Sequence, residues 1–178
     1  MISFKETLEK LENSKEFKEF KKENPSAFLT TGFFVVDNEA KTESKQLDFA
    51  TSKGEEKELV TFLIGEKIEQ KKEETIKKEK FNRIEIPKIE LNDALEIMKK
   101  ETEKISQTYS KIIAILQMIE NEGKSAEIWN LTCLSGFNMF RLHIDAMTGE
   151  IFKEENKNLM DIVRIEKKGD KKQDGYIG

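Results

Sequence analysis

Cysteine is almost missing from this sequence. Cys133 is the single one, so an intrachain disulfide is excluded. Histidine is as scarce, with His143 alone. A metal site needs several convergent nitrogen, sulfur or oxygen ligands, and no spacing of that kind is present, so no cofactor or metal is expected. There is no excess of basic charge. Lys and Arg total 31 against 35 Asp and Glu, a net charge of −4, which argues against a general nucleic-acid binder. Gly32, Gly54 and Gly65 are isolated, so no phosphate-cradling loop is present. No apolar run approaches the ~20 residues of a membrane helix. The longest, Ile112 to Ile119, is strand-sized. The start, Met1-Ile2-Ser3-Phe4-Lys5-Glu6, lacks the basic-then-apolar order of a signal peptide. The expectation is a cytoplasmic protein that binds neither nucleic acid nor membrane.

What is present is charge and alternation. Hydrophobic residues make up 37% of the 178, and charged residues another 37%. The Lys/Glu bias fits either heat adaptation or a biased genome. The length suffices for one medium domain or two small ones.

Ser3 and Glu6 form a capping box for a helix over 3–23, with Phe4, Leu8 and Leu11 on one face. Phe17 and Phe20 leave that stripe, so Asn13-Ser14 is a candidate break, and Pro25 ends the segment. Strands are expected near 27–37, 45–52 and 58–70. The run Glu66 to Lys80 holds six Lys and five Glu; its mixed sign suits a solvated surface. Leu91, Ala94, Leu95, Met98, Thr102 and Ile105 then follow helical spacing. Further strands are expected near 111–119, 126–134 and 137–145, with a return over 150–154. The strongest local signal is Ile144-Asp145-Ala146-Met147-Thr148-Gly149-Glu150-Ile151. It reads as a hairpin in which Asp145 accepts from turn amides and Gly149 takes positive φ, with Thr148 between them.

Each half thus reads as a helix followed by three strands in meander order. The expected fold class is α+β: an antiparallel meander sheet with a packed helix, built as two related α-β-β-β units. One α+β domain with a helix at each end of a large sheet is the alternative. The expected organisation is an N-terminal helix plus three-strand unit over 1–74, a charged linker or strand extension over 75–88, a second unit over 89–165 and a disordered tail over 166–178.

Two stretches carry a resemblance to PepSY domains. Ile89-x-Leu91-x-x-Ala94-Leu95 is similar to that family's helix entry. Ile144-Asp145-Ala146-x-Thr148-Gly149-Glu150-Ile151 resembles its closing hairpin, a VDAxTGEV pattern. The resemblance covers roughly residues 88–155. It implies a cystatin-like arrangement of one helix on an antiparallel meander, without catalytic residues, in a family whose members bind or inhibit peptidases. Under it, Asp145, Thr148 and Gly149 carry over as turn formers only.

Candidate site residues are few. If Phe140, Leu142 and Ile144 face the core, His143 faces the other way with Arg141. Trp129, Leu131 and Cys133 form the more apolar side of their strand, opposite Asn130. Trp129 therefore reads as core, with a partner anchor as the alternative. A Cys133–His143 nucleophilic pair would need both on one face and a third group to orient the imidazole. Phe28, Phe33 and Phe34 have few basic neighbours and read as core rather than as a stacking platform for single strands. His143, Trp129 and Asn130 are the candidate pocket or interface residues. Ile113, Ile115 and Phe152 are apolar residues left for an interface. The expected function is a non-enzymatic binding or protein-interaction module, with a protein partner or a second copy as occupant. The runner-up is a small enzyme or ligand carrier with a pocket between helix and sheet. A structural part of a larger complex is the third reading.

Overall fold

In a computed structural model the chain is described over residues 2–54, 56–73, 80–161 and 163–164. Helix α1 (Phe4–Glu12) starts where the Ser3 hydroxyl accepts from the Glu6 amide. Asn13 ends it, and Ser14 caps α2 (Lys15–Glu23) by accepting from Phe17. Two caps in succession turn the chain, so Phe17 and Phe20 meet the core from a different angle than Leu8 and Leu11. The strands are β1 (Phe28–Asp37), β2 (Thr42–Lys53), β3 (Glu56–Ile64), β4 (Ile68–Glu73), β5 (Lys111–Asn121), β6 (Lys124–Ser135), β7 (Asn138–Asp145) and β8 (Ile151–Asn158); α3 (Leu91–Lys104) precedes β5.

These strands form one antiparallel sheet in the order β4-β3-β2-β1-β5-β6-β7-β8. That corrects the α+β, two-unit expectation. The fold is β-rich, with eight strands against helices of 9, 9 and 14 residues. Each meander has four strands, not three. The expected strand 58–70 splits at Gly65 into β3 and β4, and 150–154 extends into the full strand β8. The first strands of the two meanders, β1 and β5, pair from Thr31↔Gln117 to Asp37↔Lys111. That pairing fuses the meanders into one sheet with one core, so neither half closes on itself.

The core lies between the sheet and the helices. Across one row run Phe62, Leu47, Gly32, Leu116, Trp129 and Ile144, each opposite the next. Gly32 is the gap in this row. A Cβ there would sit 3.1 Å from the Phe4 ring, so the missing side chain is what admits Phe4 from α1. Phe4 in turn stacks edge-on against Phe34 and Trp129, at 6.1 and 6.2 Å between ring centres. Beyond it, Phe17, Phe20, Phe49 and Phe62 form a second aromatic cluster. Leu91, Ala94 and Met98 bury the inner stripe of α3, with Leu95 partly buried beside it.

Residues 80–90 form a strap along one end of the sheet. The Ile84 amide donates to the Leu29 carbonyl at 3.0 Å and the Ile89 amide to Ala146 at 2.9 Å. The strap corrects part of the charged-linker expectation: Ile84 is 4% exposed and belongs to the core. Residues 74–79 of that expected linker, and the expected tail 166–178, lie outside the described residues.

The strap ends on Glu90, which caps two helices. Its carboxylate accepts from the Leu91 amide at 2.7 Å, starting α3. It also accepts from the Phe4 and Lys5 amides of α1, at 3.0 and 2.7 Å. A carboxylate at two helix N-termini satisfies orphan N–H groups of both and meets the positive end of both dipoles.

The hairpin from Asp145 to Glu150 is built as its residues imply. The Met147 and Thr148 amides donate to the Asp145 carboxylate at 2.8 and 2.9 Å. The Glu150 amide donates to the Thr148 hydroxyl. Gly149 has φ of 80°, and a Cβ there would lie 3.3 Å from Ile89 of the strap. Gly149→Val should therefore lower stability by about 1–3 kcal/mol, since a β-branched residue resists positive φ. Urea unfolding of the variant checks this; an unchanged midpoint would refute the turn's contribution.

Candidate functional site

No described helix covers the opposite face of the sheet. Strand residues alternate, so the side chains that point there are odd-numbered in the second part of β1 and in β3, β4, β5, β7 and the part of β8 beyond its bulge, and even-numbered in β2 and β6. Two cross-strand rows define it. One runs Phe33, Ile115, Asn130, His143, Lys153; the next runs Val35, Ile113, Thr132, Arg141, Glu155. The β1–β5 end of this surface is apolar, with Phe33, Val35, Ile113 and Ile115 all half-buried. The β7–β8 end is polar. A bulge between His143 and Ile144 lets Phe152 turn edge-on to the His143 ring, at 5.8 Å and 47% exposed.

The structure separates the three candidate site residues. His143 and Asn130 are direct cross-strand neighbours on the helix-free face. Trp129 points the other way and is wholly buried beneath the helices, the core reading. His143 and Asn130 thus share no pocket with α3. Cys133 also faces the core, opposite Phe140, so Cys133 and His143 leave the sheet on opposite sides. Burial pushes the Cys133 thiol up to about 12, which leaves it protonated and unreactive at neutral pH. Phe34 is core and Phe28 lies under the Arg83 guanidinium at 5.0 Å. Asp145, Thr148 and Gly149 are occupied by the turn.

On the polar end, Arg141 donates to the Thr132 hydroxyl at 3.3 Å and approaches Glu155 at 3.7 Å. Lys153 and Lys157 reach the same carboxylate at 3.1 and 3.6 Å. The Lys153 hydrogen bond, followed by the charges of Lys153, Lys157 and Arg141, holds the Glu155 carboxyl below its ordinary range. Burial and then the Lys153 and Arg141 charges push the His143 imidazole down, so it is neutral at pH 7. Its Nε2 and the Asn130 Oδ1 are buried and have no hydrogen-bond partner among the described residues.

No protein-family model and no curated protein matches this sequence. Among solved structures, the chain is similar to a "putative lipoprotein" from Clostridium difficile 630. The TM-score is 0.48 and the identity 8%, over 80% of this chain and 90% of that one.

Two further features sit at the strap. A groove of about 280 Å³ opens where it meets the sheet, lined by Thr30, Thr31, Phe81, Asn82 and Gln117 among others. Glu127, on the core side of β6, is 6% exposed and accepts from the Glu85 amide at 2.9 Å, while its Oε1 has no partner. Sequence reasoning passed over Glu127, although its inward parity with Trp129, two residues on, was a legible signal. Among the described residues no cluster of three or more His, Cys, Asp or Glu could hold a metal, and no helix is long and apolar enough to cross a membrane.

Burial, opposed by the Glu85 amide and reinforced by the charges of Glu85 and Asp145, raises the Glu127 carboxyl above its ordinary value. A carboxyl raised on folding stabilises fully below its unfolded pKa, and that contribution is lost as pH rises through the folded value. Glu127→Gln, which stays neutral, should therefore gain on the wild type in melting temperature as pH goes from 5 to 8. Parallel melting curves for the two proteins across that range would disprove the assignment.

Proposed function

We propose that this chain is a non-enzymatic protein-interaction module that docks a protein through the helix-free face of its sheet. The observation that carries this reading is the apolar block of Phe33, Val35, Ile113 and Ile115 on a face that no described helix covers, with Phe152 exposed across the surface from it. An apolar centre with a polar rim is the make-up of docking surfaces. The likeness of the Ile144–Ile151 hairpin to PepSY domains supports a peptidase as the class of partner. A sheet face that no described helix covers serves binding better than turnover, because general acid–base work needs convergent groups in a desolvated cleft.

Capture from an extract of the source cells, followed by mass spectrometry, tests this with two baits. One is the wild type; the other carries Val35→Ser, Ile113→Ser and Phe152→Ser and is matched to it in circular dichroism. A protein retained by the first and lost from the second supports the reading, and assay of a captured peptidase with and without the module tests inhibition. Equal retention on both baits refutes the face as the docking surface.

A further inference from the structure

Charge on the helix-free face is uneven in a way that specifies the partner. Near the apolar block the charge is balanced: Lys111 pairs one to one with Asp37 at 3.1 Å. On β7 and β8, three cations converge on one carboxylate: Arg141, Lys153 and Lys157 on Glu155. Among the described residues one carboxylate faces three cations, so this end of the surface keeps a positive surplus. Lys153 and Lys157 are about half exposed, with side-chain exposures of 47% and 51%, and both retain donors for another acceptor. Between the cations and the apolar block lie Asn130 and His143, whose Oδ1 and Nε2 are buried and unpaired. Unpaired buried polar atoms are costly, and a peptide backbone supplies both a donor and an acceptor within one group.

From this juxtaposition we infer that the occupant is an acidic protein segment: apolar side chains on Phe33, Val35, Ile113 and Ile115, backbone amides over Asn130 and His143, and carboxylates on Arg141, Lys153 and Lys157. This deepens the docking reading above and rests on it. A second copy of the chain is the competing occupant. It would bring its own cationic end, and in a parallel superposition of the faces like charges would meet. Electrostatic complementarity of this kind sets partner choice and association rate more than raw affinity, and it weakens with salt.

The test uses the full chain and two blocked synthetic peptides, one alternating Glu with Phe and Leu, the other its Gln counterpart, read by fluorescence anisotropy. The Glu peptide should bind at least about tenfold more tightly than the Gln peptide, with the gap closing as salt is raised. Lys153→Gln with Lys157→Gln should remove the preference while leaving the melting temperature unchanged, because exposed ion pairs contribute little to stability. Equal binding of the two peptides, lost on Val35→Ser and Ile113→Ser, would overturn the acidic partner and leave the docking face standing. No binding of either peptide would overturn both. A concentration-dependent dimer by light scattering, abolished by Ile113→Ser, would make a second copy the occupant and sink the inference.

Discussion

Glu90→Ala should be among the most destabilising single substitutions in this protein, at about 2–4 kcal/mol. The residue sits in neither helix it caps best. It precedes α3, and its carboxylate takes the Leu91 amide there at 2.7 Å and the Phe4 and Lys5 amides of α1 at 3.0 and 2.7 Å. The Ser3 hydroxyl donates to it as well, at 3.3 Å. Loss of one cap costs about 0.5–2 kcal/mol, and here α3 loses its cap while α1, which keeps Ser3, loses the acceptor of two further amides. Alanine also leaves the partly buried Phe4 amide of α1 without an acceptor. Ser3→Ala removes only the hydroxyl that caps Glu6 and should cost about 1 kcal/mol. Glu90→Gln keeps the shape but replaces one carboxylate oxygen with a donor that faces amide donors, so it should fall between the two. Urea unfolding of the three variants checks the order. A Glu90→Ala loss no larger than that of Ser3→Ala would mean that the α1 contacts contribute nothing.

Glu90 also marks where sequence reasoning ran out. Local signals were legible. The stripe Leu91, Ala94, Met98 and Thr102 reads directly as the buried face of α3, and the inward sets Trp129-Leu131-Cys133 and Phe140-Leu142-Ile144 follow from alternation alone. Asp145 and Gly149 announce their turn by chemistry that acts within five residues. What alternation cannot encode is the identity of a strand's neighbour. Nothing in Thr31–Asp37 names Lys111–Gln117 as its partner, so one sheet was read as two. β4 was not separated from β3, and its second half was read as solvated surface, because Ile68-Glu69-Gln70-Lys71-Lys72-Glu73 is an edge strand, and a charged edge strand carries little alternation. The strap hides for a related reason: Ile84 is buried by residues far off in sequence, and Glu90 caps amides some 86 positions away. The helix-free face was half visible. Ile113, Ile115 and Phe152 stood out as apolar residues without a core to enter, and His143 followed from parity. The three cations around Glu155 did not, since Arg141 reaches β8 only through the β7–β8 register.

The second large effect belongs to Trp129, where sheet, α1 and strap meet. Its ring is fully buried, 6.2 Å from Phe4 and 6.1 Å from Phe34, and its indole N–H donates to the Ile89 carbonyl at 2.8 Å. Trp129→Ala removes the largest side chain of the core and should cost about 3–5 kcal/mol, enough to unfold a domain of ordinary stability in part or whole at 37 °C. Trp129→Phe separates the two contributions. It keeps most of the apolar contact and deletes the donor, leaving the Ile89 carbonyl without its partner at about 1–3 kcal/mol. Since Ile89 also packs against Gly149 and its amide holds Ala146, that loss should loosen the strap before the sheet. Hydrogen exchange reads this directly: in Trp129→Phe the Ile84, Glu85 and Ile89 amides should exchange faster while those of β5 and β6 keep their protection. Uniformly faster exchange in strap and sheet alike would mean that the strap does not open on its own, and that Trp129 acts only by filling the core.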